Sequence, residues 1–219
     1  HFLIKAFDRL LEIYLENGYQ KEKAVKNIIE KNIFGLDIDS RAVQISTIIL
    51  NIKALENGYT NKLKFNLAHS NLNKDFFNLD EAKFIDDLYS LEEIKNAGSL
   101  LKLDFNNEEI EEKFIDLEFI DGFENEKVFF MNIFNKYDVI LSNPPYTDSS
   151  DIKGGLKNFI NDTYKNFKKN LYTCFISRNY EFLKDRGEMA MITPQTFMYI
   201  SSYKDAREFI LKNTTIEEF

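Results

Sequence analysis

Apolar residues at the start of the chain recur at the spacing of one helix face. Phe2, Leu3, Phe7, Leu10, Leu11, Tyr14 and Leu15 fall three and four positions apart, with Gly18 placed to end the helix. A second helix is predicted over about 22–31. The period then changes. Ile33, Phe34, Leu36 and Ile38 form a short apolar run that stops in acids, which predicts a buried strand with functional groups at its carboxyl end. Residues 40–55 return to helical spacing, with Asp39 or Ser40 as the N-cap. A further short strand is predicted over 62–67.

From about 73 to 136 the chain turns acidic, rich in Phe and Leu, and free of proline. Residues 80–97 and 108–120 read as amphipathic helices, so this stretch is expected to be a helical insertion or long connection. Its acid pairs, Asp86-Asp87 and Glu111-Glu112, read as a solvated face and not as a metal site. Residues 137–142 carry the strongest strand pattern. They stop at Asn143-Pro144-Pro145-Tyr146, where two prolines can continue neither a ladder nor a helix. Gly154-Gly155 marks a loop, and helices are predicted over 156–170 and 172–184. A buried strand over 188–193 ends at Pro194, a helix covers 201–213, and 215–219 reads as the start of a strand. Strands alternating with helices predict an open, mostly parallel α/β sheet, in which ligands bind at the carboxyl ends of the strands.

Composition narrows the chemistry. The 219 residues suit one large domain or two small ones, and 44% hydrophobic with 29% charged residues excludes disorder. No apolar run approaches the roughly 18–20 residues of a membrane helix, and the charges spaced along the first twenty positions do not suit a signal peptide. The single cysteine, Cys174, cannot form an internal disulfide, which fits a reducing cytoplasm. Two histidines, His1 and His69, and one cysteine exclude a zinc site of His and Cys and disfavour a Ser-His-Asp triad. A net charge of −8 argues against this chain alone gripping nucleic acid tightly, and leaves open a grip elsewhere in a longer protein.

Two strand ends carry unusual chemistry. A planar exocyclic amine has its lone pair delocalised into the ring. Two acceptors that take both its hydrogens would hold it and favour rehybridisation of the nitrogen. The side-chain oxygen of Asn143 and the carbonyl of Pro144 can be those acceptors, the double proline brings no competing N–H, and Tyr146 offers a flat face for a base taken out of a duplex. The alternative is a proline turn with a surface tyrosine. At the other strand end, Asp37 can accept from two vicinal ribose hydroxyls and Ile38 can lie on an adenine, while Asp39 is expected to cap the next helix.

In this order, the stretches GLDID, YDVILSNPPY and YTCFISRNYEFLKDRGEMAMITPQTF resemble the amino-group DNA methyltransferases. They are most similar to the adenine-specific methyltransferases of type IIG restriction–modification enzymes and of BREX phage-resistance systems. Residues 201–207 resemble the BREX enzymes in particular. The resemblance covers most of the chain; across 73–136 only the placement of an insertion matches. It implies a Rossmann-like fold dependent on S-adenosylmethionine, the N6 amine of adenine as acceptor, and direct in-line displacement with neither metal nor covalent intermediate. Asn143, Pro144, Pro145 and Tyr146 would be catalytic, and Asp37, Ile38 and Ser70 would bind the donor. Ser70 or His69 stands where the family often has an acid; for His69 a solvent-exposed loop position is expected. Cys174 is expected to be inert core, which argues against cytosine C5 methylation.

The resemblance also implies an organisation into a donor-binding half over 1–72, the insertion over 73–136 and a catalytic half over 137–219. The family's glycine-rich donor loop, of the type Asp-Pro-x-x-Gly-x-Gly, and the strand before it should precede the first helix. The aromatic residue opposite the catalytic tyrosine and a target-recognition domain should lie after Phe219. The chain is therefore expected to be a truncated methyltransferase fragment, inactive alone. Its partners would be double-stranded DNA through the parent protein and other defence-system proteins, with no membrane. Without its central strand the sheet should close the gap by pairing its remaining strands, or the fragment should dimerise. Two other readings use the same residues: a methyltransferase for an RNA base or a protein glutamine amide, and a non-catalytic DNA-binding or scaffold module. In the latter, Lys153, Lys157, Lys165, Lys168 and Lys169 would touch phosphates or form a solvated face.

Overall fold

The computed structural model describes residues 1–79, 90–102 and 121–218. The amphipathic helix expected over 108–120, the first part of the one expected over 80–97, and both acid pairs lie outside the described residues. The contacts divide the chain into two units, His1–Phe134 and Asn135–Phe219.

The first unit opens with helix α1 (Phe2–Glu16), followed by α2 (Lys21–Asn27). The helix predicted over 22–31 does not stay α-helical. Its last turn widens into a π-turn over Ile28–Asn32, and Ile28, Ile29 and Ile33 are all buried there. A wider turn rotates successive side chains less far apart, so this isoleucine cluster can share one face. Strand β1 (Phe34–Asp37) leads into α3 (Ser40–Glu56), and β2 (Asn66–His69) pairs parallel with β1. Sequence pattern placed the second strand at 62–67; the ladder instead pairs Phe34 with Asn66 and Asp37 with His69. The Asn66 side chain fixes this register. Its amide donates to the carbonyl of Glu30 at 3.0 Å and lies 3.4 Å from those of Ile29 and Ile33.

After a short turn at Lys74–Asn78, α4 (Leu91–Ala97) begins with a reciprocal capping box between Ser90 and Glu93. Helix α5 (Glu124–Phe134) lies against β2 and β1, as does α3. Its Phe130 stacks on Phe76 at 5.9 Å, and its buried Asn132 donates to the carbonyl of Asn66 at 2.9 Å.

The second unit holds β3 (Tyr137–Ser142), α6 (Gly154–Thr163), α7 (Leu171–Phe182), β4 (Leu183–Met191) and α8 (Lys204–Asn213). β3 and β4 pair in parallel, with Val139 opposite Glu188 and Ser142 opposite Met191. The helix predicted to run to 184 stops at Phe182, and residues 183–187 form a bulge inside β4. The register jumps there, Arg186 takes φ +62°, and a Cβ at Gly187 would stand 3.0 Å from the carbonyl oxygen of Lys184 and 3.1 Å from that of Tyr137. A side chain at 187 would crowd both carbonyls, so glycine suits this close backbone approach.

The described strands form two two-stranded parallel sheets, β1 with β2 and β3 with β4. β3 is open to solvent, with Val139 59% and Leu141 45% exposed. Its apolar pattern is that of a strand covered on both faces, but among the described residues it has one strand neighbour. The residues 215–218 form no strand.

The core of the first unit gathers around Phe7, Ile28, Ile29 and Leu50, drawn from α1, the π-turn and α3. Phe7 is fully buried. Its replacement by alanine is expected to cost about 3–5 kcal/mol, against less than about 0.5 kcal/mol for Leu211→Ala on the exposed side of α8. Urea denaturation of both variants checks this; equal midpoints would contradict the assigned core.

Candidate active site

In a parallel pair both carboxyl ends lie on one edge. In the first unit that edge presents Asp37 and, one residue past β2, Ser70, whose N–H donates to the Asp37 carbonyl at 3.2 Å. One Asp37 carboxylate oxygen accepts the Asp39 N–H at 2.9 Å, which sets the side chain's direction. Its other oxygen has no hydrogen-bond partner among the described residues and Asp37 is exposed. The next helix is capped by Asp39, which accepts the Arg41 N–H at 2.9 Å. The cap and the outward-facing carboxylate are thus different residues, as the sequence suggested.

Ile38 is 66% exposed beside this edge. Ser70 is 1% exposed and its hydroxyl donates to the Lys95 carbonyl at 2.9 Å, tying the end of β2 to α4. Sequence reasoning missed Gly98. It sits at φ +53°, and a Cβ there would stand 3.0 Å from Ile38 Cγ2 and 3.9 Å from Ser70 Oγ. A lone glycine just after a capped helix was the available signal. The edge is therefore an open carboxylate and an exposed apolar side chain, backed by a glycine turn. That combination fits the ribose and base of a nucleoside.

His69 corrects an expectation. It is the last residue of β2, half-buried, and not in an exposed loop. The Asn125 side chain brackets it, accepting its N–H at 2.9 Å and donating to its carbonyl at 3.1 Å, while its Nδ1 is buried without a partner among the described residues.

In the second unit, β3 delivers Asn143-Pro144-Pro145-Tyr146 at its carboxyl end, and the parallel ladder sets Ile192 alongside. The Ile192 N–H donates to the Ser142 carbonyl at 3.0 Å. Pro144 is buried; Asn143, Pro145 and Tyr146 are exposed. The Tyr146 hydroxyl lies 3.1 Å from Asn143 Oδ1 and 2.9 Å from the Ile192 carbonyl oxygen, so its single hydrogen is shared between two acceptors. This contact turns the amide oxygen of Asn143 towards Tyr146 and leaves it a further lone pair. The Tyr146 ring is 48% exposed and meets the edge of Tyr172 at 6.2 Å and 90°.

Tyr172 is 1% exposed, sits at the start of α7, and pairs its hydroxyl with Thr196 Oγ1 at 3.2 Å. The tyrosine of the loop thus rests on a buried tyrosine, which the sequence did not single out. Downstream, the loop is tied to the α6–α7 turn: the Leu171 N–H donates to the Thr147 carbonyl at 2.9 Å and the Ser149 N–H to the Lys169 carbonyl at 3.1 Å. Cys174 is fully buried in α7, as expected, and burial pushes its thiol up to about 12. The described residues contain no group of three His, Cys, Asp or Glu placed to hold a metal.

Asp37, Ile38 and Ser70 gather in the first unit, and Asn143 through Tyr146 in the second. The family described as Eco57I restriction-modification methylase matches residues 31–219. The chain is 30% identical, over 95% of its length, to the adenine-specific methyltransferase PglX of Lacticaseibacillus casei (strain Zhang), and covers 20% of that protein. It is 27% identical, over 98% of its length, to the adenine-specific methyltransferase BrxX of Escherichia coli O9:H4 (strain HS), covering 22%. It is 25% identical, over 97% of its length, to the type II restriction enzyme and methyltransferase RM.Eco57I of Escherichia coli, covering 20%. The chain thus spans about a fifth of the length of these curated relatives.

The support beneath the loop generates a pH prediction. Burial raises the Tyr137 phenol and pushes that of Tyr172 up to about 12, alongside the Cys174 thiol. In the unfolded chain these groups ionise near pH 8.5–10. Above that range the unfolded chain binds fewer protons than the folded one, so stability falls as pH rises. The contribution is complete below about pH 8 and is lost progressively towards about 12. The urea midpoint should drop over this window, and less steeply in Tyr172→Phe. A midpoint that stays level would contradict the assigned burial.

Proposed function

The chain belongs to the Eco57I restriction-modification methylase family, and on that premise we propose that it serves transfer of a methyl group from S-adenosylmethionine to the N6 amine of adenine in double-stranded DNA. The observation that carries this reading is the loop at the end of β3, with Asn143 Oδ1 held by the Tyr146 hydroxyl. Two of the relatives, PglX and BrxX, are adenine-specific methyltransferases, which supports adenine over other planar amines. Restriction–modification or phage defence is the setting we infer, in a cytoplasm that keeps the Cys174 thiol reduced. No described helix is long and apolar enough to cross a membrane.

Asn143 and Pro144 act on the amine. The free lone pair of Asn143 Oδ1 accepts one hydrogen and the Pro144 carbonyl the other, which turns the nitrogen lone pair out of the ring. When the amine takes its place on Asn143, the Tyr146 hydroxyl gives its hydrogen wholly to the Ile192 carbonyl, already 2.9 Å away, so the phenol keeps a partner. Pro145 keeps a competing N–H out of the loop, and the exposed Tyr146 ring takes the base on its face.

Asp37 accepts the ribose hydroxyls of the donor through its outward oxygen, Ile38 lies on the donor's adenine, and Ser70 holds the turn behind it. The donor would supply an electrophilic methyl group, the C–N bond forming as the S–CH3 bond breaks and the sulfonium leaving as a neutral thioether, with the extra amine proton passing to solvent. This chain's residues would orient the nucleophile without forming a bond to it. We read both parallel sheets as belonging to a Rossmann-like methyltransferase fold, with 73–136 as an insertion between a donor-binding part and a catalytic part. The open edges of both sheets support pairing of two copies, which sedimentation velocity tests; a monomer at all concentrations would remove that element.

Titration of S-adenosylmethionine into the full-length protein is expected to show binding that Asp37→Ala abolishes and Asn143→Ala leaves intact. Asn143→Ala is expected to lower methyl transfer to an adenine-containing duplex by about 10²-fold or more. Unchanged donor affinity in Asp37→Ala, or unchanged turnover in Asn143→Ala, would overturn the assigned roles.

A further inference from the structure

Directly after the candidate catalytic loop, an acidic chain turns basic. Between Tyr146 and Leu171 stand five lysines and three aspartates, in a sequence of net charge −8. All five lysines are exposed. Lys153 and Lys157 belong to the start of α6. Lys165, Lys168 and Lys169 stand in the turn between α6 and α7, and this turn is fastened to the loop.

The fastening is main-chain and comes from both sides. Ser149 donates to the Lys169 carbonyl at 3.1 Å, Leu171 donates to the Thr147 carbonyl at 2.9 Å, and Asp148 and Asn170 form an antiparallel bridge. Within the turn, Phe167 donates to the Tyr164 carbonyl at 2.8 Å, and Tyr164 is 1% exposed. From α7, the Thr173 hydroxyl donates to the carbonyls of Asn170 and Phe167. Lys165, Lys168 and Lys169 therefore sit on a turn bonded to the chain from Thr147, the residue after Tyr146.

The nearby acids leave most of this charge unpaired. Asp148 accepts the Ser150 N–H and hydroxyl at 3.0 Å each and lies 3.4 Å from Lys169 Nζ. The Ser150 N–H, foremost, holds its carboxyl below the usual range. Lys165 and Lys168 have no ion-pair partner among the described residues, although Asp162 lies on the preceding turn of chain.

We propose that Lys165, Lys168 and Lys169 form a phosphate-contact surface that sets the register of the DNA strand whose base the Asn143–Tyr146 loop receives. The proposal rests on the methyltransferase reading above. Lysine is a point charge without a fork, so it can hold a phosphate without reading a base. A base leaves the duplex reproducibly only if its backbone is held, and a cationic turn bonded to the loop's own backbone holds it at a fixed distance from Tyr146.

The test is the salt dependence of duplex binding by the full-length protein, read by fluorescence anisotropy on a duplex of about 30 base pairs. Each phosphate contact contributes about 0.9 to the slope of log affinity against log salt. Lys165→Gln/Lys168→Gln should lower that slope by about 2 and weaken two unrelated duplexes by the same factor. Lys21→Gln/Lys212→Gln removes equal charge from exposed positions elsewhere and should leave the slope within about 0.5. Lys169 is left in place because it also contacts Asp148. In the methylation assay the Lys165/Lys168 pair should raise KM for DNA and lower kcat at saturating DNA, and the Lys21/Lys212 pair should leave both unchanged. An unchanged slope in the lysine pair, or a loss confined to one sequence, would overturn this surface. A wild-type protein that binds donor but no duplex would overturn it together with the choice of DNA as substrate. A wild-type protein that binds no donor would overturn the methyltransferase reading itself.

Discussion

Parallel pairing of β3 with β4 is the constraint from which the candidate active site follows. Two parallel strands end side by side, so the chain leaving one meets the chain leaving the other. Here Ser142 bonds to Ile192 across that edge, and the next residues of each strand supply the acceptors that share the Tyr146 hydroxyl. An antiparallel pair would have set the start of one strand beside the end of the other, and the Ile192 carbonyl would not be there. The pair β1–β2 applies the same geometry to Asp37 and Ser70.

Each edge is then stiffened from beneath by groups with no part in the proposed chemistry. Tyr172 presents its edge to Tyr146 and is held by Thr196; Tyr203 lies against it at 5.9 Å. Gly98 allows α4 and its following turn to close on Ile38 and Ser70, where any larger residue would combine strain at φ +53° with a clash. The bulge at 183–187 lets Leu183 and Glu188 both face β3 in register, which carries the ladder on to Ser142 and Met191. Rigidity is what this chemistry asks for. The loop must present its acceptors to an amine without first rearranging them, since orientation set in advance lowers a barrier at no further cost on binding.

Much of this was legible in the sequence because it depends on local chemistry. Two adjacent prolines must stop a strand, so the end of β3 at Ser142 was readable. Asp39 followed by a helical pattern is a cap, which left Asp37 for another task. The lone cysteine in an apolar helix reads as core and is core. Less legible were features that arise from partners distant in the chain. The strand read at 62–67 lies at Asn66–His69, because Asn66 finds the carbonyls of Glu30, Ile29 and Ile33. His69 reads as a loop residue until Asn125, 56 positions later, brackets its backbone. The apolar pattern of β3 reports a strand built to be covered on both faces, yet Val139 and Leu141 stand exposed.

The sequence by itself determined where strands end and which functional groups follow, because turn chemistry, capping and the identity of the side chains act over a few residues. It also determined the family, since the ordered stretches from Gly35 to Phe197 carry that resemblance. Only the tertiary structure decided which oxygen shares the Tyr146 hydrogen, which ring supports it, and which lysines are fastened to the loop. Those are contacts between residues 20 to 50 positions apart, as with Tyr146 and Ile192 at a separation of 46. Such contacts depend on strand register and helix placement, which the pattern of a single chain constrains only through the packing of the whole.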